Sequence, residues 1–444
     1  MIRWRKFIPL FLLGWAFHTF YGLCEAKWGE KDEIQTYLIG LKCYTTGTWP
    51  YFGADVNGVE NLSFTGQLPG ALEGLLMGLP FHLLPLPETP FIVLNLLYAI
   101  GAALLAWYIC GRLSRLSFPL LFAWICLTPW PLHMSAHVIN PAYDFLPSVF
   151  FLIGFMESLP VFSRNLVSPF WRNAAMGFSI LWIMQFHFSY VFLLPLAAFA
   201  LFDQVRRERS GKSLLSFALG TLPMAALMLP TYLKYGWAHG DVASGFAVPF
   251  DWYNFTQGFT ILARYFSLVS FELLRFLGEH THLRFAFLTT HWWLFLPGAL
   301  LSAVGVVQPI VMFLALFKKS HSVPGWREMK IVVLLSFLVV WMAFWFTNKA
   351  PLTHIYLVLY PFVMYYSCYV LDLFAGGRGW GVAAKIFLAC AFYFQIGYGL
   401  IVSPQDSLYS KRFEGTSLNR KVVLRAIQEK NYHLMGERRP ESLY

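Results

Sequence analysis

The segment FIPLFLLGWAFHTFYGLCEAKWGEKDEIQTYLIGLKCY, Phe7 to Tyr44, joins a long apolar run to a cluster of charged residues. Its first part, Phe7 to Cys24, contains no Asp, Glu, Lys or Arg and is nearly as long as the roughly 20 residues that cross a bilayer core as one helix. The charged sequence EKDE, Glu30 to Glu33, follows soon after. The segment therefore predicts a transmembrane helix whose end brings carboxylates to the membrane surface.

The composition extends this reading to the whole chain. Of 444 residues, 57% are hydrophobic and only 13% are charged, which excludes an ordinary soluble domain. Charged side chains are costly at the bilayer centre, and here they are confined to short intervals between apolar runs. We therefore predict an all-α polytopic membrane protein of about eleven transmembrane helices, within a range of about ten to thirteen, with juxtamembrane helices on the outer face.

The predicted spans follow the apolar runs of the sequence. They are 7–23, 91–110, 120–138, 145–159, 174–184, 189–202, 214–233, 292–317, 331–346, 355–373 and 382–402. The region 174–202 is read as two short spans because a polar break, Gln185 to His187, interrupts an apolar stretch that is too long for one untilted span.

The basic residues set the predicted orientation. Arg3, Arg5 and Lys6 precede the first span, and we expect them in the cytoplasm. A cleaved signal peptide is the alternative, but the stretch is rich in Phe and Trp and lacks a clean small-residue cleavage site, so a retained anchor is favoured. The intervals then placed inside contain Arg112, Arg115, Arg164, Arg172, Arg206, Arg207, Arg209, Lys212, Lys318, Lys319, Arg327, Lys330 and Arg378.

This topology divides the chain into a transmembrane domain, 1–402, and a short polar tail, 403–444. The domain has a first external loop at 24–90 and a second large external loop at 234–291. The first loop contains eight acidic residues against three lysines. The net charge of +10 is therefore largely a consequence of topology, and we predict no nucleic-acid partner.

Three external segments are predicted to be interfacial helices. The first is 32–44, where one face at helical spacing is formed by Ile34, Tyr37, Leu38, Leu41 and Tyr44. On that helix Asp32 and Thr36 point away from the apolar face, Glu33 lies at its edge, and Gly47 follows as a stop. The others are 70–86 and 258–277, which are apolar or amphipathic but interrupted by charges or prolines.

The order of short motifs resembles a known superfamily. Asp32-Glu33 is an acidic pair in the first external loop, followed by a Gly47-Thr-Trp-Pro50 turn and a surface helix from Gln67 onward. Later come MSAHVINPAYDFL with Asp144, GEHTHLRF at 278–285 and NKAPLTHIYLVLYPFVM at 348–364. This arrangement resembles the GT-C glycosyltransferases, in the branch of protein O-mannosyltransferases and lipid A aminoarabinose transferases. There are departures, because Gln67 stands where the aminoarabinose transferases usually have a lysine.

The resemblance implies an inverting glycosyltransferase that moves a sugar from a polyprenyl-phosphate donor to a protein, lipid or glycan acceptor. A carboxylate would take or orient the proton of the acceptor hydroxyl, a role that suits Asp32, with Glu33 as the second catalytic candidate. Glu33 and Asp144 are also candidates for shaping the acceptor site or holding a divalent metal such as Mg²⁺ or Mn²⁺. The leaving phosphate needs positive charge. The candidates for that role are His187, Arg264, His280, Arg284, Lys349 and His354.

The expected location is the plasma membrane, specifically a bacterial inner membrane, with the N-terminus in the cytoplasm and the active site on the periplasmic face. Two other functions remain open. An O-antigen ligase or polymerase would rely on Arg and His in the second loop and leave Asp32 dispensable. A lipid or sugar transporter or flippase would show inverted repeats and charges at mid-membrane, which the sequence does not display.

Overall fold

The computed structural model describes residues 4–25, 31–55, 67–113, 116–236, 250, 252–267, 286, 289–319, 324–346, 353–374, 380–401 and 420–435. Within them the protein is helical apart from one two-stranded antiparallel ribbon. Seven of the described helices are long and apolar enough to cross a membrane. The prediction of an all-α polytopic membrane protein is confirmed.

The elements are named here in chain order. The first half of the chain forms α1 (Trp4–Glu25), α2 (Lys31–Thr46), β1 (Phe52–Asp55), β2 (Gln67–Pro69), α3 (Leu72–Gly78), α4 (Thr89–Cys110), α5 (Phe118–Leu127), α6 (Pro129–Met134), α7 (Phe145–Ser158), α8 (Pro169–Met184), α9 (Leu194–Glu208) and α10 (Lys212–Tyr235). The second half forms α11 (Trp252–Thr256), α12 (Gly258–Tyr265), α13 (Phe295–Ala315), α14 (Trp326–Phe344), α15 (Tyr360–Phe374), α16 (Trp380–Ile401) and α17 (Arg420–Gln428). Short 3-10 segments lie at Leu79–His82, Asn140–Asp144, Phe188–Phe192, Trp292–Leu294, Thr353–Leu359 and Tyr432–Met435.

Seven of the eleven predicted spans coincide with the helices that meet the length and hydropathy needed for crossing. The remaining four are shorter or more polar: α7 and α8 have 14 and 16 residues, and α14 begins with Arg327, Glu328 and Lys330 in its first turns. The fourth, predicted at 120–138, is wrong as a continuous helix. It breaks at Thr128, whose backbone is extended because Pro129 follows and disfavours a helical conformation at the preceding residue.

The predicted break at 185–187 is confirmed. Helix α8 ends at Met184, and the chain resumes in the 3-10 segment that leads into α9. The Gln185 side chain accepts a hydrogen bond from the backbone N–H of Leu72. Gly70 has a φ of +143°, and a Cβ atom there would meet the Gln185 side chain, so this close approach favours glycine.

Helices differ in how much of their surface packs inside the protein. Helix α7 is buried along almost its whole length. The apolar segment His354–Asp372, which contains most of α15, is 83% buried, so both helices lie at the centre of the bundle. In contrast, α10 and α13 bury only 22% and 28% of theirs and expose leucine, isoleucine and phenylalanine. Such a continuous exposed apolar surface is that of helices in contact with lipid.

The two ends of the central helices carry opposite chemistry. Helices α4 and α7 end near Arg112 and Glu157, where the buried Glu157 carboxylate accepts a hydrogen bond from Tyr108 and lies 3.8 Å from the Arg112 guanidinium. We name this the arginine end. Both helices begin on the other side of the bundle, near Glu88 and Asp144, where α2 and α3 also lie; we name this the carboxylate end.

The predicted helix after the first span is present as α2, and it stops before Gly47, whose φ is +69°. Its surroundings differ from the prediction, because Thr36, expected on the outward polar face, is fully buried beneath α3. The two other predicted interfacial helices are shorter than expected. The segment 70–86 is helical as α3 and then turns into a 3-10 segment containing Pro80, while α12 ends at Tyr265, and 268–277 lies outside the described residues.

Part of the predicted polar tail packs back on the bundle. Helix α17 buries Val423, Ala426 and Ile427, and the Lys42 ammonium of α2 lies 5.7 Å from the centre of the Tyr432 ring. Arg420 also forms an ion pair with Glu88. These contacts place the described part of the tail at the carboxylate end.

Candidate active site

The first turn of α2 reaches a histidine far away in sequence. Oε1 of Glu33 lies 3.2 Å from Nδ1 of His137, and both side chains are almost completely buried. The loop that carries His137 is fixed by Ser135, which contacts His18 of α1 through its hydroxyl and accepts a hydrogen bond from Asn95 of α4 through its carbonyl. Glu33, predicted at the edge of an interfacial helix, is therefore an internal residue.

A second buried carboxylate, Glu73, connects three elements. Its Oε1 accepts a hydrogen bond of 2.9 Å from the Thr36 hydroxyl of α2, and its Oε2 accepts one of 2.9 Å from the Ala54 N–H of β1. Sequence reasoning missed this residue as a site candidate, because it read 70–86 as an interfacial apolar helix. The sequence did contain an indication, because an acid inside the apolar run LEGLLMG must have a hydrogen-bonding partner if it is buried.

The third buried carboxylate is Asp144, at the start of α7. Its Oδ2 accepts a hydrogen bond of 3.0 Å from the Ser189 hydroxyl, while Oδ1 meets no hydrogen-bond donor among the described residues. Burial raises the pKa of Asp144 well above its ordinary value, the Ser189 hydrogen bond opposes this shift, and the charge of Glu73 adds to it. The folded protein therefore favours the neutral acid at this position.

These contacts form one continuous cluster. Thr36 lies three residues after Glu33 on α2, so the two share a face of that helix, and Thr36 binds Glu73. Glu73 in turn acts electrostatically on Asp144. Another histidine, His133, packs edge to face against His137 with 4.5 Å between ring centres. We refer to Glu33, Glu73, Asp144 and His137 as the carboxylate cluster.

Two of the residues predicted to bind the donor phosphate come together beside this cluster. The rings of His187 and His354 are 6.1 Å apart and close to perpendicular, and both side chains are half-buried. His187 also accepts a hydrogen bond from the N–H of Ser189, which is the residue that binds Asp144. The sequence did not predict this direct link between a phosphate candidate and an acceptor-site candidate.

Arg264 is half-buried near the end of α12. The following residue, Tyr265, contacts the Ser336 hydroxyl and packs against Tyr356 in the same 3-10 segment as His354. The described part of the predicted second external loop is thus attached to the segment that carries this histidine. The role of Arg264 as a phosphate ligand stays a prediction.

The remaining sequence candidates lie outside the described residues. These are His280, Arg284 and Lys349, together with the side chain of Asp32, whose backbone belongs to α2. Among the described residues, no group of three or more His, Cys, Asp or Glu side chains is arranged to hold a metal ion. The roles assigned to these residues and to a divalent metal stay predictions.

The cluster can bind, orient and exchange protons. Glu33 can hold His137 in the tautomer with hydrogen on Nδ1, which leaves Nε2 as the basic nitrogen. Asp144 can donate a proton when neutral, and Glu73 fixes the backbone of β1. Such groups in a water-poor setting are suited to acid–base chemistry on a polar substrate that reaches the membrane surface.

No protein-family model and no curated protein sequence matches this chain. The chain is similar to two crystal structures of ArnT from Cupriavidus metallidurans, one bound to undecaprenyl phosphate and one in the apo state, at 12% and 13% sequence identity. Both similarities cover 90% of this chain and 88% of the other, with a TM-score of 0.36. That score is too low to assign a shared fold or a function.

Proposed function

We propose that this protein is an integral-membrane glycosyltransferase that transfers a sugar from a polyprenyl-phosphate carrier to an acceptor hydroxyl. The observation that carries the proposal is the carboxylate cluster, which gathers Glu33, Glu73 and Asp144 at one end of a membrane-spanning bundle. Its support in the sequence is the ordered set of motifs that resembles the GT-C superfamily, with Asp32-Glu33 at the start of α2 and Asp144 before α7.

The reaction explains why acids and cations would both be needed. The acceptor hydroxyl attacks the anomeric carbon, the bond from that carbon to the phosphate oxygen breaks, and the hydroxyl proton passes to a base. Asp32 takes or orients this proton, and Glu33 supports the same site from the next position on α2. Positive charge from His187, Arg264, His280, Arg284, Lys349 and His354 stabilises the departing phosphate.

The arrangement at the two ends favours one orientation in the membrane. The arginine end collects Arg112, Arg164 and Arg172 near Glu157, and the positive-inside rule assigns such an end to the cytoplasm. The carboxylate cluster then faces the periplasmic or outer side of a plasma membrane, specifically a bacterial inner membrane. The partners are a polyprenyl-phosphate sugar, membrane lipids and a protein, lipid or glycan acceptor.

Transfer of radiolabelled sugar from polyprenyl-linked donors, in membranes with matched protein levels, tests this function. We expect Asp32→Asn to lower transfer by about 100-fold or more, the usual contribution of an acid–base group. The control is Asp203→Asn, a partly exposed residue of α9 whose ion pair with Arg207 lies on the cytoplasmic side of this topology.

Full activity of Asp32→Asn with loss only in Arg284→Ala contradicts the assignment and favours an O-antigen ligase or polymerase, which depends on its large loop. Absence of transfer by the wild type with every polyprenyl-linked sugar, together with movement of lipid across vesicles, favours a transporter or flippase.

A further inference from the structure

The carboxylate end also carries a lysine that the sequence did not suggest as a site residue. Lys234 is the penultimate residue of α10 and its side chain is exposed. Its ammonium nitrogen lies 4.3 Å from the centre of the Tyr51 ring and 5.1 Å from the centre of the Tyr235 ring. These two rings are 5.3 Å apart and nearly perpendicular, so they enclose the ammonium group from two sides.

The backbone holds this arrangement in place. The carbonyl of Tyr51 accepts hydrogen bonds from the Thr231 hydroxyl of α10 and from the N–H of Gly70. Helix α10 ends at Tyr235, and the following Gly236 has a φ of +71°, which favours glycine. The lysine and both tyrosines are therefore tied to the same rigid junction between α10 and the β ribbon, and little ordering is needed when a ligand binds.

An apolar groove begins at the same tyrosine. It lies between α2 and β1, opens to solvent and has a cavity volume of about 40 Å³. Its apolar walls come from Leu38, Ile39, Pro50 and Phe52, with Tyr51 at its side and Lys42 and Tyr432 at its border. These apolar walls can contact part of a hydrocarbon chain whose charged head group lies beside Lys234.

The junction is connected directly to the carboxylate cluster through β1. Ala54, whose N–H binds Glu73, lies three positions after Tyr51, which in extended chain corresponds to a distance of about 10 Å. The strand therefore joins a cation at one end to a buried carboxylate at the other, so Lys234 and Glu73 lie at the same end of the bundle.

We propose that Lys234, held beside Tyr51 and Tyr235, binds the phosphate of the polyprenyl carrier, whose hydrocarbon chain contacts the groove between α2 and β1. The inference rests on the proposed function and adds a phosphate ligand to it. An ammonium has three N–H donors, and hydrogen bonds to the side chains of Tyr235 and Tyr51 use two of them, so one donor remains for a phosphate oxygen. When the sugar leaves, the electron pair stays on the phosphate oxygen, and the positive charge of Lys234 stabilises the added negative charge.

Binding of undecaprenyl monophosphate without sugar to the purified full chain in detergent measures this directly. We expect Lys234→Ala and Lys234→Gln to bind about 10- to 100-fold more weakly, as for loss of a charge-assisted contact. Lys234→Arg should retain affinity within about threefold, since the charge is kept. The matched control is Lys212→Ala, an exposed lysine at the opposite end of the same helix, which should bind like the wild type.

Two further ligands test whether Lys234 recognises the phosphate of the polyprenyl carrier or any lipid phosphate. Undecaprenol, which lacks the phosphate, should bind the wild type and Lys234→Ala equally. Phosphatidylglycerol should show no dependence on Lys234; an equal loss of affinity for this phospholipid would mean a general head-group contact and overturn the proposal. Unchanged affinity for undecaprenyl monophosphate in Lys234→Ala overturns it as well.

The sugar-transfer assay separates this inference from the proposed function. If the wild type transfers sugar and Lys234→Ala does so with an unchanged KM for the donor, the lysine assignment fails while the function stands. If the wild type binds undecaprenyl monophosphate in a Lys234-dependent way but transfers no sugar, the phosphate site stands and the transferase assignment fails. Tyr51→Leu and Tyr235→Leu, which remove a ring each, should raise the donor KM without abolishing expression.

Discussion

Replacing Glu73 by leucine tests whether the carboxylate cluster holds α2, α3 and β1 together. The side chain is 1% exposed and accepts hydrogen bonds from the Thr36 hydroxyl and the Ala54 N–H, both of which are buried. Glu73→Leu leaves these two donors without an acceptor, and each such loss costs about 1 to 3 kcal/mol. We therefore expect the free energy of unfolding to fall by about 2 to 6 kcal/mol.

Unfolding of the purified protein in mixed detergent micelles measures this loss. Glu88→Gln is the control, because Glu88 pairs with the exposed Arg420 and such pairs contribute at most about 1 kcal/mol. Thr36→Val combined with Glu73→Leu removes both partners of one hydrogen bond, so the double variant should lose less than the two single losses added together. Strict additivity, or a Glu73→Leu protein as stable as the control, would refute the reasoning.

Two other predictions concern a pH dependence and the tail. Burial raises the pKa of Asp144, so the folded state resists its ionisation, and the stability of the wild type falls as pH rises above the ordinary carboxyl pKa of about 4. Asp144→Asn lacks this titration, so its stability relative to the wild type should be higher at pH 8 than at pH 5 in unfolding titrations. Equal differences at the two pH values would contradict this. Tyr432→Ala removes a buried ring that packs against α2, so trypsin should cleave within α17 faster than in the wild type. The rate should be at least about tenfold higher than in Glu429→Gln, an exposed control on the same tail. Equal cleavage rates would mean that Tyr432 does not hold the tail.

Much of the fold followed from local sequence. The apolar runs that became α1, α4, α10, α13 and α16 are long enough to cross a bilayer, and this length is a property of consecutive residues. The polar break at Gln185 to His187 was also visible in the sequence, because Gln and His interrupt a run that is otherwise apolar. The break at Thr128 was missed, since the residues around it are as apolar as a continuous span and only Pro129 marks the interruption.

The candidate site was predicted less completely. The sequence pointed to Asp32, Glu33 and Asp144 through the order of motifs, and it suggested His187 and His354 as cations without relating them to each other. It did not suggest His137, Glu73 or Lys234. A histidine in a loop, a glutamate in an apolar segment and a lysine at a helix end each look ordinary along the chain.

What the sequence determined by itself is the class of this protein: a helical chain that crosses the membrane several times and places acids after its first span, because hydrophobic length and charge placement are read from neighbouring residues. Tertiary structure alone decided which polar groups meet. Glu33 contacts His137 across 104 positions, and Asp144 contacts Ser189 across 45. Such pairs form because a buried polar group must find a partner wherever helix packing places one, and packing depends on the whole chain.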